Sequence, residues 1–319
     1  MGKEYIYRTG LMPVERSPHP KEPSPPYYGR GWRSDIQKST RDDAPTHSRE
    51  IFIRAKSRET AQNALNLILA ASSLIIGDPP IFPNDLVAYR EPDLGQLEDV
   101  ERDLIKSRFL GMPGLRNACA FAAKASTKRK WIYALTKYDF SISLFSTLTI
   151  DMDPFHGAEY MPVSPFTHDH VTFCHCIIAA YSVIEELGLE VRASLKTPSI
   201  IKGKWNPSVL SDLERRLLYA GVNLNETLLW TIRGPKRRIE LRHPPRTLGK
   251  MRWAYGSVQD ASINIVDAIA QTSWLRSVAA SHTIKDVTTV LSAYDVANAQ
   301  YLARRLLLES LGYWRFYNK

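Results

Sequence analysis

The stretch Leu275–His282, LRSVAASH, places an arginine and a histidine six positions apart, with small residues between them. These two residue types are enough, in principle, for metal-free cleavage of RNA. The substrate supplies its own nucleophile, the 2′-hydroxyl. What remains is a group that takes or gives a proton near neutral pH, and a cation that holds the phosphate as charge builds. Histidine fits the first task, with an unperturbed pKa of about 6.5. Arginine fits the second, through a planar fork that stays charged. On a straight helix, six positions turn through about 600°, so Arg276 and His282 would point roughly 120° apart. They can share one phosphate only if the helix ends or distorts near Ser281, or if a second subunit completes the site. The competing interpretation is a helix-end arginine beside a capping or solvent-facing histidine.

The spacing is loose, and a second pair fits it. Arg238 and His243 lie in GPKRRIELRHPPR, as does Arg237, with Pro244 and Pro245 in place to stop a helix. This pair ranks second. The same segment concentrates Arg233, Lys236, Arg237, Arg242 and Arg246. Such clustering attracts phosphates through counterion release, or else forms a solvated surface hairpin. Trp230 and Trp253 flank it and offer either base-stacking faces or core packing.

Other candidates point away from chemistry. Cys174 and Cys176 would stand about 200° apart on a helix and could not share one ion. His170 and Cys174 would share a face but find no further ligands at zinc-site spacing. Burial of small residues in a helix is the better account, so neither metal nor cofactor is expected. Glu185 and Glu186 sit among apolar residues. Glu185 is a candidate to orient Arg276 or His282, as a carboxylate often does behind a working group; the alternative is a surface charge. RNAC at 116–119 has no histidine in range, and TKRK at 127–130 reads as an exposed helix start. The chain contains no GxxxxGK[ST], no GxGxxG after a strand and no GxSxG. P-loop NTPases, dinucleotide-binding dehydrogenases and α/β-hydrolases are therefore disfavoured.

Behind these residues stands a chain of 319 residues with 42 Lys and Arg against 33 Asp and Glu, a formal charge of +9. Its length allows two domains with sizeable cores, and its basicity favours an anionic partner, nucleic acid being the commonest. Three cysteines do not make a disulfide framework. The opening residues lack the apolar core of a secretory leader, and no apolar run approaches a membrane span. A cytoplasmic protein without membrane association is the expectation.

The elements that would position the chemistry are mostly helical. Residues 11–48 hold scattered prolines and charges, and the expectation for 1–48 is a disordered Pro-rich arm. Order is expected from EIFIRAKS, a short strand, with Ser57 capping a helix whose Ala61, Ala64, Leu65, Ile68, Ser72 and Ile75 share a face. Helices are predicted at LEDVERDLIKSRFLG, GLRNACAFAAKAS and TKRKWIYALTKYDFSISLFSTLTI, making 49–165 an α+β, mostly helical region. Beyond a connection at 151–170, VTFCHCIIAAYSVIEELGLEVRAS reads as a long, strongly apolar helix broken or capped near Gly188. PSVLSDLERRLLYAG follows, with Pro207 at its start and Gly221 past its end. SVQDASINIVDAIAQTSWLRSVAASH reads as one helix, with Ile265, Ile269, Thr272 and Arg276 along one line. The last helix is SAYDVANAQYLARRLLLESLG, with Ser292 as candidate cap and Gly312 as stop.

The closing stretch, WLRSVAASH and then YDVANAQYLARRLLLESLG, resembles the end of a HEPN domain of the ApeA-like kind. The resemblance covers about residues 166–319 and rests on Arg276, five residues, then His282, before a final helix. Directly after the arginine, where active members often carry Asn or another polar residue, this chain has Ser277, which is polar but not the commonest choice. The resemblance implies a mainly α fold ending in a helical bundle. It also implies a homodimer with Arg–His pairs across its cleft, and RNA cut to 2′,3′-cyclic phosphate and 5′-hydroxyl ends. Toxin or antiviral defence roles go with it. A non-catalytic module binding nucleic acid or protein is the alternative.

Overall fold

The computed structural model describes residues 5–8, 26–38, 49–76, 87–89, 115–145, 167–202, 204–233, 248–250, 258–281, 291 and 293–314. The fold is mainly α, with seven helices among the described residues. The chain divides into two compact units, Met1–Asp139 and Phe140–Lys319. The division falls nearer the N-terminus than the boundary expected at 165–166.

The first unit holds an antiparallel sheet of five strands in the order β2-β3-β4-β1-β5. Its strands are β1 (Tyr5–Arg8), β2 (Tyr27–Gly29), β3 (Trp32–Lys38), β4 (Arg49–Ala55) and β5 (Val87–Tyr89). The expectation of a disordered arm over 1–48 fails for β1, β2 and β3, and the region is richer in sheet than a short strand implies. The reason is a period of two: Trp32, Ser34 and Ile36 are buried, as are Ile51, Ile53 and Ala55 on the neighbouring strand, with less buried residues between them. Gly29 faces Trp32 across the β2–β3 pair and lies so close to its indole that a Cβ has no room. Gly31 takes a φ of 82° in the turn. Residues 9–25 and 39–48 lie outside the described residues.

Two helices, α1 (Arg58–Ile76) and α2 (Leu115–Ala125), pack on each other and on this sheet. Ser57 caps α1, its hydroxyl accepting from the Thr60 amide at 3.2 Å. Ala61, Ala64, Leu65, Ile68 and Ser72 are buried as the periodicity predicts. Helix α3 (Arg129–Phe145) follows after an exposed turn, and the division into units falls within it. The helix expected at 97–111 and residues 151–166 of the connection expected at 151–170 lie outside the described residues, while 167–170 of that connection are already helical.

The second unit centres on three helices. They are α4 (Thr167–Leu187), α6 (Ile265–Ser281) and α7 (Ala293–Leu311), each in contact with the other two. Helix α5 (Pro207–Tyr219) lies against α6. A two-residue pair, β6 (Ile200–Ile201) and β7 (Lys204–Trp205), precedes α5. Strands β8 (Thr227–Arg233), β9 (Leu248–Lys250) and β10 (Val258–Asn264) form a sheet in the order β8-β10-β9.

Two expectations change here. Residues 258–264, read as the start of a helix, are a strand in register with Thr227–Arg233. The helix begins only at Ile265, where the Asn264 side chain accepts from the Asp267 amide at 2.8 Å. The basic segment is not a simple hairpin either: β8 and β9 do not pair but flank β10 on its two edges. Among the described residues no helix is long and apolar enough to cross a membrane.

Candidate functional site

Helices α4 and α6 bring the candidate site together. Along α6, Ile265, Ile269 and Thr272 are buried, and the same line emerges at Arg276, whose side chain is 44% exposed. Arg276 does not emerge alone. Its Nη2 lies 3.7 Å from Oε1 of Glu185 on α4, and its guanidinium carbon sits 6.0 Å from the centre of the Tyr181 ring. Tyr181 and Glu185 are four residues apart, so one face of α4 presents both. Ser273, three residues before Arg276, is hydrogen-bonded to the Tyr181 hydroxyl. Ser277 turns back on its own helix, its hydroxyl donating to the Ser273 carbonyl at 3.0 Å.

Local chemistry fixes the end of α4 that carries Glu185. The Gly188 amide donates to the Glu185 carbonyl and the Leu189 amide to the Ile184 carbonyl, both at 2.9 Å, with Gly188 at a φ of 74°. Arg216 of α5 then clamps this end, donating to the carbonyls of Gly188 and of Glu190, the latter at 2.8 Å. Its Nε is held by Asp212 at 2.9 Å. A guanidinium at a helix C-terminus also meets the negative end of the helix dipole. At the start of α6, Trp205 donates to Asp267 at 2.7 Å.

Burial pushes the Tyr181 phenol above its usual range, against the hydrogen bond to Ser273 and the nearby Arg276 charge. Tyr181 therefore stays protonated at neutral pH and serves as a hydrogen-bonding platform, not as a base. The Glu185–Arg276 pair is half exposed, so it adds at most about 1 kcal/mol to stability. Its effect is on direction: it limits where the guanidinium fork can point. Glu185→Gln is expected to leave the unfolding midpoint almost unchanged. It should release Arg276, seen as faster modification of that side chain by phenylglyoxal; unchanged reactivity would show that the carboxylate does not hold it.

His282 lies outside the described residues, one position past the end of α6. Arg233 closes β8, and Lys236, Arg237, Arg238, Arg242, His243 and Arg246 lie outside the described residues, as does Trp253. Trp230, weighed as a base-stacking face, is core at 2% exposure. His168 is exposed while Asp169 and His170 are buried on α4. Among the described residues no three His, Cys, Asp or Glu gather as a metal site. Burial pushes the thiols of Cys119 and Cys176 up to about 12, so neither is a nucleophile at neutral pH. Comparison with protein-family models, with curated proteins and with solved structures finds no match.

A second charged cluster, on α7, escaped the sequence reading. Arg305 is 2% exposed and donates to Glu226 at 2.5 Å and to Glu309 at 3.3 Å. Trp314 donates to the same Glu226 carboxylate at 3.2 Å, and its ring lies 4.9 Å from the Arg305 guanidinium carbon. Burial pushes Glu309 up to about 7 despite Arg305. Burial acts the same way on Glu226, but hydrogen bonds from Asn223, Trp314 and Arg305 outweigh it and hold that carboxyl below its ordinary range. This cluster ties the end of α7 to the residues before β8.

Proposed function

We propose that this chain is a metal-independent endoribonuclease of HEPN type that works as a homodimer. Arg276 holds the scissile phosphate and His282 moves the proton. The observation that supports this reading is the setting of Arg276: an arginine at the end of a core helix, oriented by a carboxylate and an aromatic ring, yet open to solvent. A charged fork held in this way is suited to a phosphate, because little ordering is left to be done on binding. In the step proposed, the 2′-hydroxyl loses its proton and its oxygen attacks phosphorus. The bond to the 5′-oxygen breaks, and that oxygen takes up a proton. The products are a 2′,3′-cyclic phosphate and a 5′-hydroxyl. The basic segment 233–246 steers RNA toward the cleft, and a toxin or antiviral defence role in the cytoplasm fits such an activity.

The helical arithmetic bears on quaternary structure. If Arg276 of one copy works with His282 of the other, an Arg276→Ala protein mixed with a His282→Ala protein recovers activity. Random pairing makes half the dimers mixed, each with one of two sites intact, so about a quarter of the wild-type rate returns. No recovery from two inactive variants would place both residues of a site on one copy.

The second reading is a non-catalytic module that binds nucleic acid. It is favoured by Glu185, whose charge already offsets that of Arg276 at 3.7 Å. Salt-sensitive RNA binding without cleavage, unchanged by His282→Ala, would decide for it.

A further inference from the structure

The first unit contains a half-open groove of about 960 Å³ with no part in the chemistry above. We propose that this groove binds single-stranded RNA, and that it is a binding site separate from the cleavage site. One stripe of α1 forms its long wall: Thr60, Asn63, Ala64, Leu67 and Ala70 recur at helical spacing over about 15 Å. Asn63 and Asn66 are exposed on this wall. Each side-chain amide carries both donors and an acceptor, which is what the edges of unpaired bases require. Trp32 and Ile132 supply apolar surface opposite. The volume lies at the upper end of the range for small-ligand pockets, about 300–1,000 Å³, and takes a few nucleotides but not a duplex.

The electrostatics run along the groove. At one end stand Arg30 and Ser126, which touch through the Arg30 amide at 2.9 Å. Around Ser126 stand exposed Lys124 at the end of α2, Lys128 in the turn and Arg129 at the start of α3. The ammonium groups of Lys124 and Lys128 converge on one indole, 6.0 and 4.4 Å from the centre of the Trp131 ring. This gathers two positive charges around one side chain, where they attract phosphates. Lys128 and Arg129 lie one helical turn before Ile132 and within three residues of Ser126, and Ile132 and Ser126 both line the groove. At the other end is Asp139, the one carboxylate among the lining residues, held by the Ser73 hydroxyl. A carboxylate there accepts from a ribose hydroxyl, which RNA offers and DNA lacks. An acidic peptide offers neither base edges for the asparagine amides nor a ribose hydroxyl for Asp139, so RNA is the better fit.

The test uses the full chain carrying Arg276→Ala, so that bound RNA stays intact whether or not the protein is a nuclease. A short oligouridylate is added and lysine acetylation is mapped by mass spectrometry. Protection of Lys124 and Lys128, with exposed Lys196 of the second unit unaffected, is the expected result. In anisotropy titrations, Lys124→Gln with Lys128→Gln should flatten the salt dependence of binding by about 1.4 in log–log slope, about 0.7 per phosphate. Asn63→Ala with Asn66→Ala should weaken binding roughly tenfold without changing that slope. Equal acetylation of Lys124 and Lys128 with and without RNA would overturn the proposal. So would polyglutamate protecting them as well as the oligouridylate does.

Discussion

Replacing Arg276 with alanine is expected to lower RNA cleavage about 10²–10³-fold while leaving the fold intact. The magnitude is that of removing one donor aimed at developing negative charge. The fold should survive because the side chain is 44% exposed and its ion pair to Glu185 lies in partly solvated surroundings. Arg276→Lys should recover only part of the loss, since a lysine keeps the charge but not the planar fork. Initial rates on a labelled single-stranded RNA, with circular dichroism as the control for folding, check both. A loss of structure in Arg276→Ala would mean that the contacts of Arg276 with Tyr181 and Glu185 serve the fold.

The largest stability effect is expected at Arg305. Arg305→Met removes the only cation that the structure places against Glu226 and Glu309 among the described residues, and leaves the buried Glu309 carboxyl without its partner. Breaking a buried pair in this way costs about 3–5 kcal/mol. The cost should depend on pH. Glu309 has a folded pKa of about 7, above its unfolded value, so its contribution is fully present below about 4.5 and is lost as pH rises through 7. Glu226, held below its ordinary range, contributes above that range and loses its contribution as pH falls. The Arg305→Met defect is therefore larger at pH 8 than at pH 5. Glu309→Gln should have the opposite sign and flatten the decline in stability between pH 5 and 8. Urea unfolding followed by tryptophan emission, to which Trp314 contributes, measures both; a defect independent of pH would show that Glu309 does not titrate in this range.

What the sequence discloses follows from how local the physics is. Ser57, Asn206 with Pro207, and glycines 188, 221 and 312 act within a few residues of themselves, and each helix end they mark is legible from its neighbours. The β2–β3 pair is less so. Its alternation of Trp32, Ser34 and Ile36 is brief and embedded among prolines, and only pairing with β4 makes it a strand. Val258–Asn264 continues smoothly into a helical pattern, and its strand state depends on β8, some thirty residues earlier. The candidate site divides in the same way. Arg276 and Glu185 stand out by type. Tyr181 and Ser273 are visible only through helical spacing, four residues before the glutamate and three before the arginine. Arg305 is hidden by its neighbour Arg304: which of the two is buried is decided by Glu226, 79 residues away.

The central claim is that RNA is cut without metal by a pair that includes His282. Purified protein incubated with single-stranded RNA in excess EDTA should cleave it to products with 2′,3′-cyclic phosphate ends, and His282→Ala, prepared identically, should not. Wild type and His282→Ala degrading the RNA equally, or neither degrading it, would contradict the account.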